Sequence, residues 1–257
     1  VDRHDGWPVF YQARPENLPL DIDLGLTLTK LGEEARVPLA TFALEGRHHS
    51  GHRKTLRRVE REGARFEIVP AEAVPGVLED LRAVSDAWLA ARSTREKGFS
   101  LGAFRDDYIR RAAVAVARVD GRIVAFANVL ASAEQEELTI DLMRYAPAAP
   151  SNVMEFLFLR LMLWGKERGY QWFNLGMAPL SGLEWRPLAP LWNRVSATVF
   201  RFGEHFYNFQ GLREYKQKFD PVWEPRYLAS PGGMAFPRIL ANVATLISGG
   251  VRGVFMK

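Results

Sequence analysis

The chain of 257 residues contains no cysteine. Disulfides, thiol nucleophiles and thiolate metal sites are thereby excluded, and nothing in the sequence points to an oxidising compartment. Histidine is sparse, with five in all; His48, His49 and His52 crowd one polar stretch, while His4 and His205 stand far away. No HExxH-like spacing occurs, so no catalytic metal is expected. No apolar run reaches about 18 residues, the length a membrane-spanning helix needs. Neither an initiator methionine nor a signal-peptide pattern precedes Val1, so the chain is expected to be a soluble piece of a larger protein.

What is present is the composition of a globular protein, 47% hydrophobic and 25% charged, long enough for one large domain or two small ones. Arginine far outnumbers lysine, and the net charge is +4. A pI near 9.4 is consistent with an anionic partner, nucleic acid or an acidic lipid surface.

Residues 136–145 alternate like a strand, with Leu138, Ile140 and Leu142 on one side and Thr139, Asp141 and Met143 on the other. Asp141 is therefore either a solvated outer-face charge or a carboxylate held at a cleft for chemistry. Around it the pattern predicts a strand over 8–11, a short helix over 15–24 and a strand over 36–44. A basic amphipathic helix follows and ends at Gly63. It carries Arg53, Arg57 and Arg61 in line, Lys54 and Arg58 beside them, and Arg47 and Arg65 at its ends, while Leu56 and Val59 face the other way. Such a stripe is either a solvated face or a track for phosphates.

Next come a strand over 66–70, a helix over 75–91, a short helix through Tyr108, a hairpin turning at Asp120-Gly121, and the Asp141 strand. Asn152 and Glu155 have capping-box spacing before a helix to Arg168 that is apolar almost all round. Further on, the pattern predicts a strand over 172–177, a helix over about 188–202, an aromatic stretch at 206–209, a helix over 212–219 and a strand over 226–229. An apolar-periodic tail over 236–256 either docks on the core or lies at a lipid interface. The order is α+β.

Three antiparallel strands, a buried helix, another strand, a helix and a last strand resemble the Gcn5-related N-acetyltransferase fold. In that fold a glycine-containing loop before the buried helix binds the pyrophosphate of acetyl-CoA. Here residues 145–151 carry Pro147 and Pro150 and no glycine, which argues against CoA. A longer resemblance is carried by Glu96-Lys97-Gly98-Phe99-Ser100-Leu101-Gly102, Ile140-Asp141-Leu142-Met143-Arg144-Tyr145, Phe173-Asn174-Leu175-Gly176-Met177-Ala178-Pro179-Leu180-Ser181 and Asn208-Phe209-Gln210-Gly211-Leu212-Arg213-Glu214-Tyr215-Lys216. These motifs are similar to those of the aminoacyl-phosphatidylglycerol synthases, the multiple peptide resistance factor family.

That resemblance implies a tandem acyltransferase-like fold, with residues 1–65 a remnant of the first lobe plus a connecting helix and 66–257 the catalytic lobe. The implied reaction moves an aminoacyl group, alanyl favoured slightly over lysyl, from aminoacyl-tRNA to the glycerol hydroxyl of phosphatidylglycerol, and as an ester-to-ester transfer it is expected to need no cofactor. Such transfer, at the cytoplasmic face of the bacterial inner membrane, alters membrane charge and resistance to cationic antimicrobial peptides. The implied catalytic residues are Asp141, Arg144 and Lys216, with Tyr108, Glu155, Asn174 and Tyr215 as substrate contacts and the basic helix as tRNA contact. Glu155 has the plainer alternative of capping its helix, and the three catalytic candidates that of a structural salt bridge. A CoA-dependent small-molecule N-acetyltransferase, a transferase acting on a muropeptide, and a non-catalytic tRNA- or membrane-binding module are the competing readings.

Overall fold

The computed structural model describes residues 6–92, 102–182 and 209–247. In chain order its elements are β1 (Phe10–Ala13), α1 (Leu18–Asp23), β2 (Thr27–Pro38), α2 (Ser50–Arg61), β3 (Arg65–Val69), α3 (Leu78–Ala91), α4 (Asp106–Ile109), β4 (Ala113–Val119), β5 (Arg122–Ala131), β6 (Glu137–Tyr145), α5 (Val153–Glu167), β7 (Trp172–Pro179), α6 (Phe209–Gln217), β8 (Val222–Ser230) and α7 (Phe236–Ile247). They fall into two compact units, one of residues 1–37 and 175–242, the other of 38–174 and 243–257. The units are spatial and not linear: position 65, where the sequence suggested a lobe boundary, lies inside the second.

In the second unit the strands run in the order β3-β4-β5-β6 with the start of β7 beside β6. Pairing is antiparallel except between β6 and β7. The β4–β5 hairpin turns where expected, because Asp120 and Gly121 both take positive φ, at 50° and 77°, as a type I′ turn requires. Alternation on β4 sorts the two faces. Val114 and Val116 join Val69, Leu78, Leu81, Val84, Ile109, Ile123, Phe126 and Leu142 in a core beneath α3, with Phe104 and Tyr108 packed against it. Ala115 and Ala117 have the opposite parity, and their small side chains leave room for α5, which buries Phe156, Leu157, Phe158, Leu159, Leu161 and Met162. Each large apolar side chain so buried contributes about 1.5–3 kcal/mol.

The first unit is built on β1-β8-β2 and the end of β7. In the β2–β8 register Glu34 stands opposite Glu224, a like-charge pairing that is unfavourable by itself. Arg226, 1% exposed, ion-pairs with both carboxylates, and Arg36 binds Glu224 at 2.7 Å. Burial alone would raise the Glu224 carboxyl; its hydrogen bonds to Arg36 and Arg226 outweigh that and hold it below the usual range.

Several boundaries move from expectation for local reasons. The strand expected at 36–44 is β2 at 27–38, because Pro38 ends the ladder and the Phe42 N–H turns back to the Pro38 carbonyl. The helix expected from 75 starts as a 3-10 turn over Ala71–Val77 and becomes α-helical only at Leu78, since Pro75 has no N–H to donate. Asn152 takes a left-handed conformation at φ 65° and its side chain caps nothing, so the expected reciprocal capping box is not made. The expected helix at 188–202 and stretch at 206–208 lie outside the described residues, as does the tail beyond 247. No described helix is long and apolar enough to cross a membrane.

Candidate active site

Asp141 owes its position to a break in the strand it sits on. In the β5–β6 ladder Ala127 pairs with Met143 and Val129 with Ile140, so a single residue of β5, Asn128, faces both Asp141 and Leu142. That is a β-bulge, which abandons strict alternation and leaves backbone N–H groups without ladder partners. Asn128 supplies them: its Oδ1 accepts the N–H of Asp141 at 3.1 Å and of Leu142 at 2.7 Å. The bulge turns Asp141 and Leu142 toward the same neighbour, since a Cβ on Gly102 would lie 2.5 Å from Asp141 Oδ2 and 3.0 Å from Leu142 Cβ. Gly102 is there because only a residue without a side chain fits.

The half-buried Asp141 carboxylate is held at both oxygens. Oδ1 accepts the Gly102 N–H at 2.8 Å and Oδ2 accepts the Tyr108 hydroxyl from α4. The Asn128 amide in turn donates to the Tyr108 oxygen at 3.1 Å. Burial, with the Asp141 hydrogen bond second, pushes the Tyr108 phenol up to about 12. Tyr108 therefore keeps its proton at neutral pH and acts as a donor. A carboxylate offers roughly four lone-pair directions, so two remain for a substrate.

Arg144, also on β6, is buried, and its guanidinium lies 4.1 Å from the Trp88 ring centroid. Arg92 covers the same ring at 4.3 Å and the Tyr145 ring at 4.8 Å. Two guanidiniums on one indole form a local concentration of positive charge, with cation–π contact holding the planes in place. Asn174 on β7 is buried; its side-chain amide donates to Glu137 Oε1 at 3.0 Å, while its backbone carbonyl accepts the Thr139 hydroxyl at 3.1 Å. Glu155 is buried and bonds His52 Nδ1 at 3.1 Å, tying α5 to α2.

Lys216 and Tyr215 lie on α6 in the first unit. Lys216 is 7% exposed, and its ammonium donates to the carbonyls of Gly176 at 2.9 Å and Met177 at 3.0 Å. Burial pushes it down to about 8 against the pull of the Glu34 charge. Tyr215 packs edge-on against Phe219 with ring centroids 5.7 Å apart. Nearby, Glu33 gathers Lys30 at 2.9 Å and Arg213 at 2.5 Å.

The basic helix α2 divides into two classes of side chain. Arg53 donates to the carbonyls of Leu44 and Gly46, closing the preceding loop, and Arg58 donates to the Ser151 carbonyl at 3.0 Å. Both are half-buried structural ties. Lys54, Arg57 and Arg61 are exposed, as are Arg47 and Arg65 at the ends. Arg57 and Arg61 line a shallow cleft with Glu60, which is ion-paired to Arg160.

Asn128, Trp88, Arg92 and the cradle role of Gly102 were not singled out from sequence. Asn128 carried a signal: one amide in the run Ala125-Phe126-Ala127-Asn128-Val129, every other member of which is buried and apolar. Among the described residues no His, Asp and Glu group has metal-holding geometry.

The family described as phosphatidylglycerol lysyltransferase, C-terminal, matches residues 1–230. The phosphatidylglycerol lysyltransferase of Bacillus subtilis (strain 168) is 41% identical over 223 residues, covering 86% of this chain and 26% of the relative. That of Staphylococcus aureus (strain COL) is 36% identical over 221 residues, with 86% and 26% covered. The chain thus spans about a quarter of the length of these relatives. Among solved structures, the C-terminal domain of a putative lysylphosphatidylglycerol synthetase from Agrobacterium fabrum superposes with a TM-score of 0.86 at 47% identity, covering 98% of this chain and 77% of the other. The L-PGS of Bacillus licheniformis gives 0.85 at 40% identity, covering 96% and 75%. FemX, 8% identical with a TM-score of 0.57 and covering 91% of this chain and 74% of the other, shares the fold alone, in agreement with the expected acyltransferase-like architecture. By sequence match over nearly its whole length and by fold, the chain belongs to the phosphatidylglycerol lysyltransferase C-terminal family.

Proposed function

We propose that this chain is the catalytic part of an aminoacyltransferase that moves an aminoacyl group from aminoacyl-tRNA to the glycerol hydroxyl of phosphatidylglycerol at the cytoplasmic membrane face. The observation that carries the reading is the Asp141 carboxylate, oriented at both oxygens by Gly102 and Tyr108 on a bulge built for it. Support comes also from family membership and from the activity in the names of the relatives.

The ester of a charged tRNA is already activated, so no ATP or cofactor is required. In this reading Asp141 accepts the glycerol hydroxyl proton as that oxygen attacks the aminoacyl carbonyl. The tetrahedral intermediate collapses with loss of the tRNA ribose oxygen, which takes the proton back. Arg144, backed by Trp88, holds an anionic substrate group. Lys216 offers a point charge to a phosphate or an oxyanion; with its ammonium near 8 it is still mostly protonated at pH 7. Asn174 and Tyr215 are proposed as substrate contacts, and Glu155 as a residue acting through its tie to α2. Lys54, Arg57, Arg61, Arg47 and Arg65 are proposed as the phosphate track for tRNA, with Arg53 and Arg58 shaping it.

Residues 66–257 are taken as the acyltransferase-like catalytic lobe. The sequence leaned to alanine as the transferred amino acid, whereas the names of the relatives support lysine. The test incubates the chain with phosphatidylglycerol micelles and tRNA charged with labelled lysine or, separately, labelled alanine. Label entering lipid from either donor is expected and names the amino acid; no label from both overturns the reading.

A further inference from the structure

We propose that Asn128 is a positioning residue that fixes the direction of the Tyr108–Asp141 hydrogen bond: its carbonyl closes the β6 bulge while its amide occupies the phenol oxygen, so the one phenolic proton points at Asp141. This rests on the reading of Asp141 as the group that handles the glycerol proton. Each polar atom of the network has a fixed donor or acceptor role. Asn128 Nδ2 only donates, an ionised Asp141 only accepts, and the Tyr108 hydroxyl between them has one proton to give. The chain of bonds therefore has a single polarity, from Asn128 through Tyr108 to Asp141.

The same side chain does two things at once, which neither an apolar nor an ionised acidic residue reproduces. Asn128 is 1% exposed, so its hydrogen bonds are made away from water and leaving any of them unmade is costly. An apolar residue would strand the Asp141 and Leu142 N–H groups, and an ionised acidic one would close the bulge but lose the donor toward Tyr108. Among the described residues, the other charged groups beside the network are engaged elsewhere. On and beside α4, Asp106 is paired with Arg82 from α3, and Asp107 with Arg105. Arg144 on β6 lies over Trp88, and β4 presents Val114 opposite Asn128. Tyr108 is the titratable side chain that Asn128 touches directly, and the Asp141 carboxylate is met only through it, since the Asn128 carbonyl bonds the Asp141 backbone N–H.

The decisive variant is Asn128→Asp in the whole chain. Ionised, the new carboxyl group still accepts both bulge N–H groups but competes with Asp141 for the phenolic proton. Protonated, its hydroxyl donates to Tyr108 as the amide did. The ratio of Asn128→Asp to wild-type transfer rate is therefore expected to rise about tenfold or more between about pH 8 and pH 5.5. A bulge-closing role alone is served by either protonation state, so a ratio flat with pH overturns the proposal.

A second readout needs no turnover. The phenolic proton resonance of Tyr108, identified by its loss in Tyr108→Phe, is expected to shift or vanish in Asn128→Asp at pH 8 and return at low pH; an unchanged resonance overturns the proposal. If Asn128→Asp fails to fold, the wild-type chain and Tyr108→Phe suffice. The Asn128 side-chain amide signals should move on loss of the phenol while the Asp141 and Leu142 amides stay protected, and amide signals that do not move overturn the proposal. Should the wild type transfer nothing to phosphatidylglycerol, the functional reading fails, and the resonance measurements alone decide the role of Asn128.

Discussion

Replacing Lys216 by methionine should change the pH dependence of stability more than stability itself. The lysine sits 7% exposed with its ammonium on two backbone carbonyls. Its affinity for a proton falls from the ordinary 10.5 to about 8, chiefly through burial. Below about pH 8 folded and unfolded chains both carry the proton, and the cost of burying the charge is present in full. Between about 8 and 10.5 the unfolded chain binds more protons than the folded one, so wild-type stability rises with pH and the cost is gone above that window. The gap corresponds to about 3 kcal/mol. Lys216→Met removes the titration and leaves the Gly176 and Met177 carbonyls without their donor, a loss of about 1–3 kcal/mol that does not depend on pH. Urea unfolding of both proteins at several pH values from 7 upward should give a difference, variant minus wild type, that falls by about 3 kcal/mol by pH 10.5. Other lysines and tyrosines titrate in both chains and cancel. A difference constant across that range would refute the reasoning, because Lys216 would then be no more buried in its charged form than an ordinary surface lysine.

Three further outcomes follow from the geometry. Gly102→Ala places a Cβ 2.5 Å from Asp141 Oδ2. It should cost about 1–3 kcal/mol in urea unfolding and, by displacing the carboxylate, lower transfer by about 100-fold; a fully active variant would mean Asp141 needs no fixed position. Joint replacement of Lys54, Arg57 and Arg61 by alanine should weaken tRNA binding and flatten its dependence on log salt by about one for each phosphate no longer neutralised, with thermal stability unchanged, whereas Arg53→Ala should lower stability by freeing the Leu44 and Gly46 carbonyls. Glu155→Gln weakens the tie to His52 and should cost about 1–3 kcal/mol of stability while leaving the transfer rate at saturating substrate unchanged; a rate loss without a stability loss would make Glu155 a substrate contact instead.

Much of the fold was legible because period and punctuation agreed. The Asp120-Gly121 turn, the largely apolar α5 and its stop at Gly169, where φ is 83°, were written in local chemistry. So was the basic helix, but not its division of labour. Periodicity placed Arg53 in line with Arg57 and Arg61, and only the fold shows that Arg53 is spent on loop carbonyls. Asp141 could be singled out as a charge in a strand, yet alternation predicted a face for it that the bulge then overrode. A bulge is set by pairing between strands distant in sequence, so it leaves no period of its own; its trace was the amide of Asn128 among buried apolar neighbours. The packing of Arg144 and Arg92 on Trp88 was hidden for the same reason, since it joins α3, the turn after it and β6. The grouping of residues 1–37 with 175–242 likewise depends on β8 returning between β1 and β2.

The central claim is that Asp141 carries the proton-transfer step of an aminoacyl transfer to phosphatidylglycerol. Single-turnover transfer of labelled amino acid from saturating charged tRNA to phosphatidylglycerol micelles, measured for wild type and Asp141→Asn, tests it most directly. Asparagine has nearly the shape of the carboxylate and keeps an acceptor for Gly102 or Tyr108, so folding and tRNA binding should persist. The account predicts a fall in the transfer rate of about 100-fold or more, the range a positioned general base supplies. A folded, tRNA-binding Asp141→Asn protein that transfers at the wild-type rate would contradict it and return Asp141 to a structural role on β6.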